Sequence, residues 1–270
     1  MDTNFIVIFS YFIVIYRIVQ LYEVLIAMSF QNQFTKTTTD ANLMETVHHG
    51  SAEYPFRYYY ENIALFDFKC IDWHWHSELE FIYIESGNVV FDIGTVHFEL
   101  NEGNGIMINS KILHRLQSSS DAIIPNFLFQ PSFIAPQDSL IYKKYINPVI
   151  SSSLEYLVFQ PDIPWQKKAL EIIKTIITVQ ETEFNREIIV SMSVQQLWIL
   201  LLENLTFDQF ENMGAVISRT RLQLMMQYVH AHYSENITLE DIARTANISK
   251  STALHLFQNN LKLTPVKYLI

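Results

Sequence analysis

The feature that most constrains this chain is a change of hydrophobic period partway along it. Between residues 64 and 130, short runs alternate apolar and polar side chains: Leu65-Phe66-Asp67-Phe68, Glu80-Phe81-Ile82-Tyr83-Ile84, Val89-Val90-Phe91-Asp92-Ile93, Val96-His97-Phe98-Glu99-Leu100, Ile106-Met107-Ile108 and Asn126-Phe127-Leu128-Phe129. Turn signals separate them at Ser86-Gly87-Asn88, Gly94, 101–105 and 118–121. Short β-rich runs at near-decade spacing predict an all-β barrel or sandwich. After Pro164 the period lengthens. Ala169, Ile172, Ile173, Ile176 and Val179 recur at helical steps, and Val194, Leu197, Leu201 and Leu205 do the same in the next segment. The fold class expected is therefore α+β, with a β module first and helices after it. With 270 residues, 49% of them hydrophobic and only 17% charged, there is material for one large or two ordinary domains, and a wholly disordered chain is excluded.

The net charge of −10 rules out an evenly basic surface but not a local basic patch. From Gly214 onward six basic residues stand against three acidic ones, so the excess of acid lies in the first part of the chain. One cysteine, Cys70, allows no intrachain disulfide and fits a reducing compartment. Residues 5–28 are almost continuously apolar and long enough to span a bilayer, at about 20 residues. Arg17 and Glu23 oppose spanning, because each costs about 2.5–3.5 kcal/mol at the centre of an inserted helix. Asp2 stands where a secretory signal carries basic residues. The segment reads as an anchor, as a helix packed on the protein, or as an extension upstream of a start at Met28, and the last is preferred; no membrane partner is expected.

The C-terminal part carries the most specific pattern. Leu222, Met225, Met226, Val229 and Tyr233 form a helical stripe after a linker expected at 207–218. Thr238 can cap the next helix, with Asp241 three residues on facing the exposed amides. Ala243 is small enough for a close helix crossing, and Asn247 tolerates the left-handed backbone of a tight turn. Ser249 caps a second helix that buries Ala253, Leu254, Phe257 and Leu261. Its open side carries Ser249, Lys250, Ser251, Thr252, His255, Gln258 and Asn259, hydrogen-bonding groups suited to base edges and phosphates with no acid among them. Two short helices joined by such a turn form a helix-turn-helix. Ile237-Thr238-Leu239-Glu240-Asp241-Ile242-Ala243, Ile248-Ser249-Lys250-Ser251, Leu254-His255-Leu256-Phe257, Leu263-Thr264-Pro265 and Tyr268-Leu269 resemble the first helix-turn-helix of the arabinose-regulator (AraC/XylS) family of bacterial transcription factors. The resemblance covers about 219–270 and implies that the helix from Ser249 enters the major groove. Asn247 and Lys262 replace glycines common in the family. The family has a second helix-turn-helix beyond a linking helix, so weak DNA binding, or none, is expected of a chain ending at Ile270.

A second constellation lies in the β module. His74, His76, Glu78 and Glu80 share one face if their strand is continuous, so that His74, His76 and Glu80 point inward, and His114 follows the run at 106–108. Three imidazoles and a carboxylate suit a divalent transition metal, yet lone histidines in strands are as often structural. The pattern His74-x-His76-x-x-x-Glu80, then Gly87, Gly103 and His114, resembles a cupin barrel, with Phe68 in place of one family glycine and Asn109 in place of a proline. Regulators of the arabinose type carry such a domain as a sensor. Trp73 and Trp75, on the opposite face, are expected to pack, and Phe56-Arg57-Tyr58-Tyr59-Tyr60 to serve as core or pocket rim.

The expected organisation is an apolar extension (1–28), an irregular lead-in (29–63), a cupin-like sensor barrel (64–135), a helical dimerisation and linker region (136–213) and a partial DNA-binding module (214–270). The expected function is ligand-responsive, sequence-specific regulation of transcription by a cytoplasmic homodimer. Its partners are double-stranded DNA and a small-molecule effector held by His74, His76, Glu80 and His114, with no metal, no cofactor and no catalytic residue. A metal-dependent cupin enzyme is the alternative. A chain that only dimerises with intact regulators is a third reading.

Overall fold

The computed structural model of the chain describes residues 36–40, 43–94, 96–181, 184–205, 213–233, 235–261 and 264–268. The apolar segment 1–28 lies outside them, as do residues 207–212 of the expected linker and, beyond the backbone, Asn259 and Leu261. The strands are β1 (Phe56–Asn62), β2 (Cys70–His74), β3 (Leu79–Tyr83), β4 (Asn88–Ile93), β5 (Val96–Asn101), β6 (Gly105–Ile108), β7 (His114–Gln117), β8 (Ile123–Phe129) and β9 (Tyr156–Phe159). They form two antiparallel sheets, in the orders β1-β8-β3-β6-β9 and β2-β7-β4-β5. The helices are α1 (Asn147–Ile150), α2 (Pro164–Thr178), α3 (Arg186–Asn204), α4 (Met213–His232), α5 (Leu239–Thr245), α6 (Lys250–Leu261) and α7 (Pro265–Tyr268).

Strand β3 shows how the layers are built. Its side chains alternate between two buried environments, as a strand covered on both sides requires. Ile82 faces the space between the sheets, with Val89, Phe91, Ile93, Ile106, Ile108 and Leu116. Leu79 and Phe81 face the other way, onto a layer made with Phe127, Phe129 and Phe159 and covered by helices. The Phe81 ring stacks on Phe127 at 5.3 Å and on Phe129 at 5.8 Å. Over these rings α2 lays Ala169, Leu170, Ile172, Ile173 and Ile176, and α3 adds Val190, Val194, Leu197 and Leu201. Gly105 permits the close approach: a Cβ there would stand 2.9 Å from the Leu170 side chain and 3.1 Å from the Ile82 carbonyl.

A third core joins the C-terminal helices to one wall of the barrel. Leu222, Met225, Met226 and Val229 of α4 meet Ile242 and Ala243 of α5 and Ala253, Leu256 and Phe257 of α6. Leu43 and Leu113 belong to the same cluster, with Trp73, Trp75 and Tyr268 packed against it. The tryptophans do pack, as expected, but against the helical module.

Several local expectations are corrected. Leu65 and Phe68 lie in two 3-10 turns, not a strand; Phe68 has φ 59° and is fully exposed. The lead-in contains β1, seven residues paired along β8. Strands β1 and β9 carry the sheets beyond 64–135 on both sides. Helix α4 begins at Met213, inside the expected linker, and Tyr233 is exposed just past its end, beyond the reach of its apolar stripe. In α6 it is Leu256, not Leu254, that joins Ala253 and Phe257 in the core.

Candidate functional site

The continuous strand expected over residues 74–80 does not exist. Strand β2 ends at His74 in one sheet and β3 begins at Leu79 in the other. The chain crosses the barrel mouth between them, and this crossing, not strand alternation, brings His76 beside His74 and Glu80. His114, at the start of β7, is the Cα partner of His74 across the ladder. The ligand atoms of His74, His76, Glu80 and His114 all lie within 4.8 Å of one another, and all four residues are buried. Glu78, which alternation would have placed with them, accepts from Gln130 and stands 3.8 Å from Nδ1 of His76.

Backbone carbonyls fix the imidazoles. Nδ1 of His74 donates to Asp72 O at 2.7 Å, Nδ1 of His76 to Glu78 O at 3.3 Å, and Nδ1 of His114 to Ile112 O at 2.8 Å. A carbonyl only accepts, so each Nδ1 carries a hydrogen. Nε2 of His76 and of His114 stand 3.4 Å and 3.1 Å from Oε2 of Glu80. Burial, and next to it His114, pushes the pKa of His74 down to about 3, so this ring is neutral. Burial alone would raise the pKa of Glu80, but the facing imidazoles overcome it and hold the carboxyl well below its usual range.

Tyr59, expected as core or pocket rim, lines the same cavity. Asn126 and, from the segment before β1, Thr37, Thr38, Glu45 and His49 line it too, and sequence reasoning missed them. His49 Nδ1 meets the Tyr59 hydroxyl at 2.8 Å, and its Nε2 meets Glu45 Oε2 at 3.1 Å. The pair His48-His49 was visible in sequence, but nothing local ties an irregular segment to a barrel mouth. Asn109, where the cupin resemblance expects proline, donates from Nδ2 to the carbonyls of Val149 and Leu154, at 3.1 and 2.7 Å.

The second candidate surface is α6. The Thr238 hydroxyl accepts from the Asp241 amide while the Asp241 carboxylate accepts from the Thr238 amide, a complete capping box for α5. Asn247 has φ 52°, in the left-handed turn expected of it. The Ser249 hydroxyl accepts from the Thr252 amide at 3.2 Å and starts α6. Ser249, Lys250, Ser251, Thr252, His255 and Gln258 are all exposed. Lys250 Nζ rests 3.2 Å from Glu240 Oε2, an exposed pair and so a weak one.

A family model described as an AraC-like ligand binding domain matches residues 66–136. The chain is 32% identical over 238 residues to the HTH-type transcriptional regulator YdeC of Bacillus subtilis, spanning 86% of this chain and 80% of that protein. It is 24% identical over 147 residues to the lactose operon transcription activator of Staphylococcus xylosus, 52% of each. Among solved structures, ToxT from Vibrio cholerae aligns over 80% of this chain and 98% of its own at 14% identity and a TM-score of 0.35.

Proposed function

Since the chain belongs to the AraC family of ligand-responsive transcriptional regulators, we propose that α6 is its DNA-reading helix and the histidine-lined barrel its sensor. The observation that carries this reading is the division of α6. Ala253, Leu256 and Phe257 are buried in the module's core, while Lys250, Ser251, Thr252, His255 and Gln258 stand exposed along the helix. A rod anchored on one side and polar, unburied and free of acid on the other fits a major groove. Lys250 exchanges Glu240 for a phosphate, and Thr252, His255 and Gln258 reach base edges. The barrel binds its effector and turns nothing over, and a protein working on chromosomal DNA resides in the cytoplasm. Among the described residues no helix is long and apolar enough to cross a membrane.

Ile188, Met192 and Ile199 of α3 recur at helical spacing on its outer side and are 61%, 66% and 57% exposed. We assign this stripe to a second copy of the chain, which would set two α6 helices at a fixed separation on DNA.

Selection from randomised duplexes by the purified chain tests the reading. Weak enrichment of a defined sequence is expected. Gln258→Ala then weakens binding by about 1–3 kcal/mol and relaxes one base position, whereas Lys250→Ala weakens all sequences alike and lowers the salt slope by about 1. Recovery of random sequence only, or variants that bind like the parent, would refute the assignment of α6.

A further inference from the structure

We infer that Thr252 selects a thymine in the major groove, and that it does so with its methyl group and not its hydroxyl. This assigns one base of the sequence that α6 is proposed to read, and it rests on that reading.

The start of α6 carries three hydroxyls, and they are turned onto one another. Ser249 Oγ accepts from the Thr252 amide at 3.2 Å and lies 2.9 Å from Ser251 Oγ and 2.8 Å from Thr252 Oγ1. A hydroxyl has one hydrogen and two lone pairs, so these three contacts use the whole of the Ser249 side chain. The same contacts fix Thr252. Its amide and its side-chain oxygen are both held by one atom, and a β-branched side chain has few χ1 settings to begin with. With the oxygen turned back to the cap, the methyl is the branch that Thr252 presents to an incoming surface. Thr252 is exposed, while the next residue, Ala253, is wholly buried and ties this turn to the core of the module.

The chemistry of the groove then picks the base. A hydroxyl both donates and accepts, so it bonds to any base edge and discriminates poorly. A methyl makes no hydrogen bond. Its counterpart in the major groove is the C5 methyl of thymine, the one methyl group exposed there. Against the polar edges of guanine, adenine or cytosine it would strip water from hydrogen-bonding groups and replace nothing. Recognition helices meet base edges with their N-terminal residues, and Thr252 lies in the first turn of α6. Lys250, two residues earlier, sets the position through a phosphate and carries no sequence information. Because Thr252 is already locked, binding has little left to order in it. Ser251, the third hydroxyl of the group, has no methyl and makes no such choice.

The duplex recovered by selection with the full chain supplies the test. Each thymine in it is replaced in turn by deoxyuridine, which lacks only the C5 methyl, and binding is followed by fluorescence anisotropy at low salt. One thymine position is expected to be sensitive, with affinity falling about fourfold, the equivalent of ~0.8 kcal/mol for one methyl-sized apolar group. Thr252→Ser should lose the same on the unmodified duplex and become indifferent to deoxyuridine at that position. Thr252→Val keeps the methyl branch and drops the hydroxyl, so it should bind like the parent and stay sensitive. Both changes fall at an exposed position, and the helical signal of each variant reports that α6 is intact. No sensitive thymine, sensitivity that survives unchanged in Thr252→Ser, or a Thr252→Val that binds no better than Thr252→Ser overturns the assignment. Recovery of no defined sequence overturns the DNA reading of α6 and this assignment with it. A defined sequence without a sensitive thymine overturns this assignment alone, so the two failures are distinguishable.

Discussion

Asn247 shows how much one side chain settles in the DNA-binding module. Its φ of 52° turns the chain between α5 and α6, so Ile248 N can donate back to the Ala243 carbonyl at 3.2 Å. Asparagine tolerates that backbone and a β-branched residue does not. Asn247→Val should cost about 1–3 kcal/mol of module stability, while Asn247→Gly should cost little, as read from urea melts followed by helical signal. This turn was legible in sequence because its requirement is local, like the hydroxyl caps at Thr238 and Ser249. The histidine site was half legible. Its four residues stood out as a pattern, but the reason offered, one continuous strand, was wrong, since the chain changes sheet between His74 and Leu79. Nothing within seven residues encodes a change of sheet.

At the scale of elements, periodicity served helices better than strands. Ala169, Ile172, Ile173 and Ile176 of α2 are buried as their spacing predicts, with Leu170 added and Val179 just past the helix end in a 3-10 turn, because a helix shows its covered side every three or four residues whatever packs on it. Strand β1 was passed over as irregular. Its run Arg57-Tyr58-Tyr59-Tyr60 has no clean alternation, yet pairing with β8 aligns it residue for residue. Phe68 misled in the opposite sense: it alternates like a strand residue but sits in a 3-10 turn with a left-handed backbone. The outer stripe of α3 makes a prediction at this scale. Met192→Glu would place a charge in the middle of the proposed dimer contact, leaving the fold intact because Met192 is two-thirds exposed. Sedimentation at micromolar concentration should show dimers for the parent and mostly monomers for the variant. If both sediment alike, the stripe has another use.

For the molecule as a whole, the decisive contact is the one between the barrel wall and the C-terminal helices, and no sequence pattern announced it. Leu113 and Leu43 are buried in the same cluster as Met225 and Phe257. Arg115, whose Nε and Nη2 both donate to Oδ2 of Asp92, lies 5.5 Å over the Trp73 ring. Leu113→Ala removes buried apolar volume at this seam and should cost about 2–5 kcal/mol, shared between the halves. Calorimetry is expected to turn one unfolding transition into two, with faster amide exchange in α4. A single transition at a lower temperature would mean that the halves do not separate.

Strand β2 has one more consequence. Its last imidazole belongs to the cavity, while the indoles on either side of it belong to the helical seam, and Trp75 is also stitched through its amide and carbonyl to Leu43 and Glu45 of the leading segment. Neighbouring residues in an extended chain are about 3.3 Å apart and have no slack. A guest that tugs one ring therefore moves three clients at once, much as plucking a single thread shifts the weave around it. Evolution could retune what the cavity accepts only by renegotiating how the helices sit.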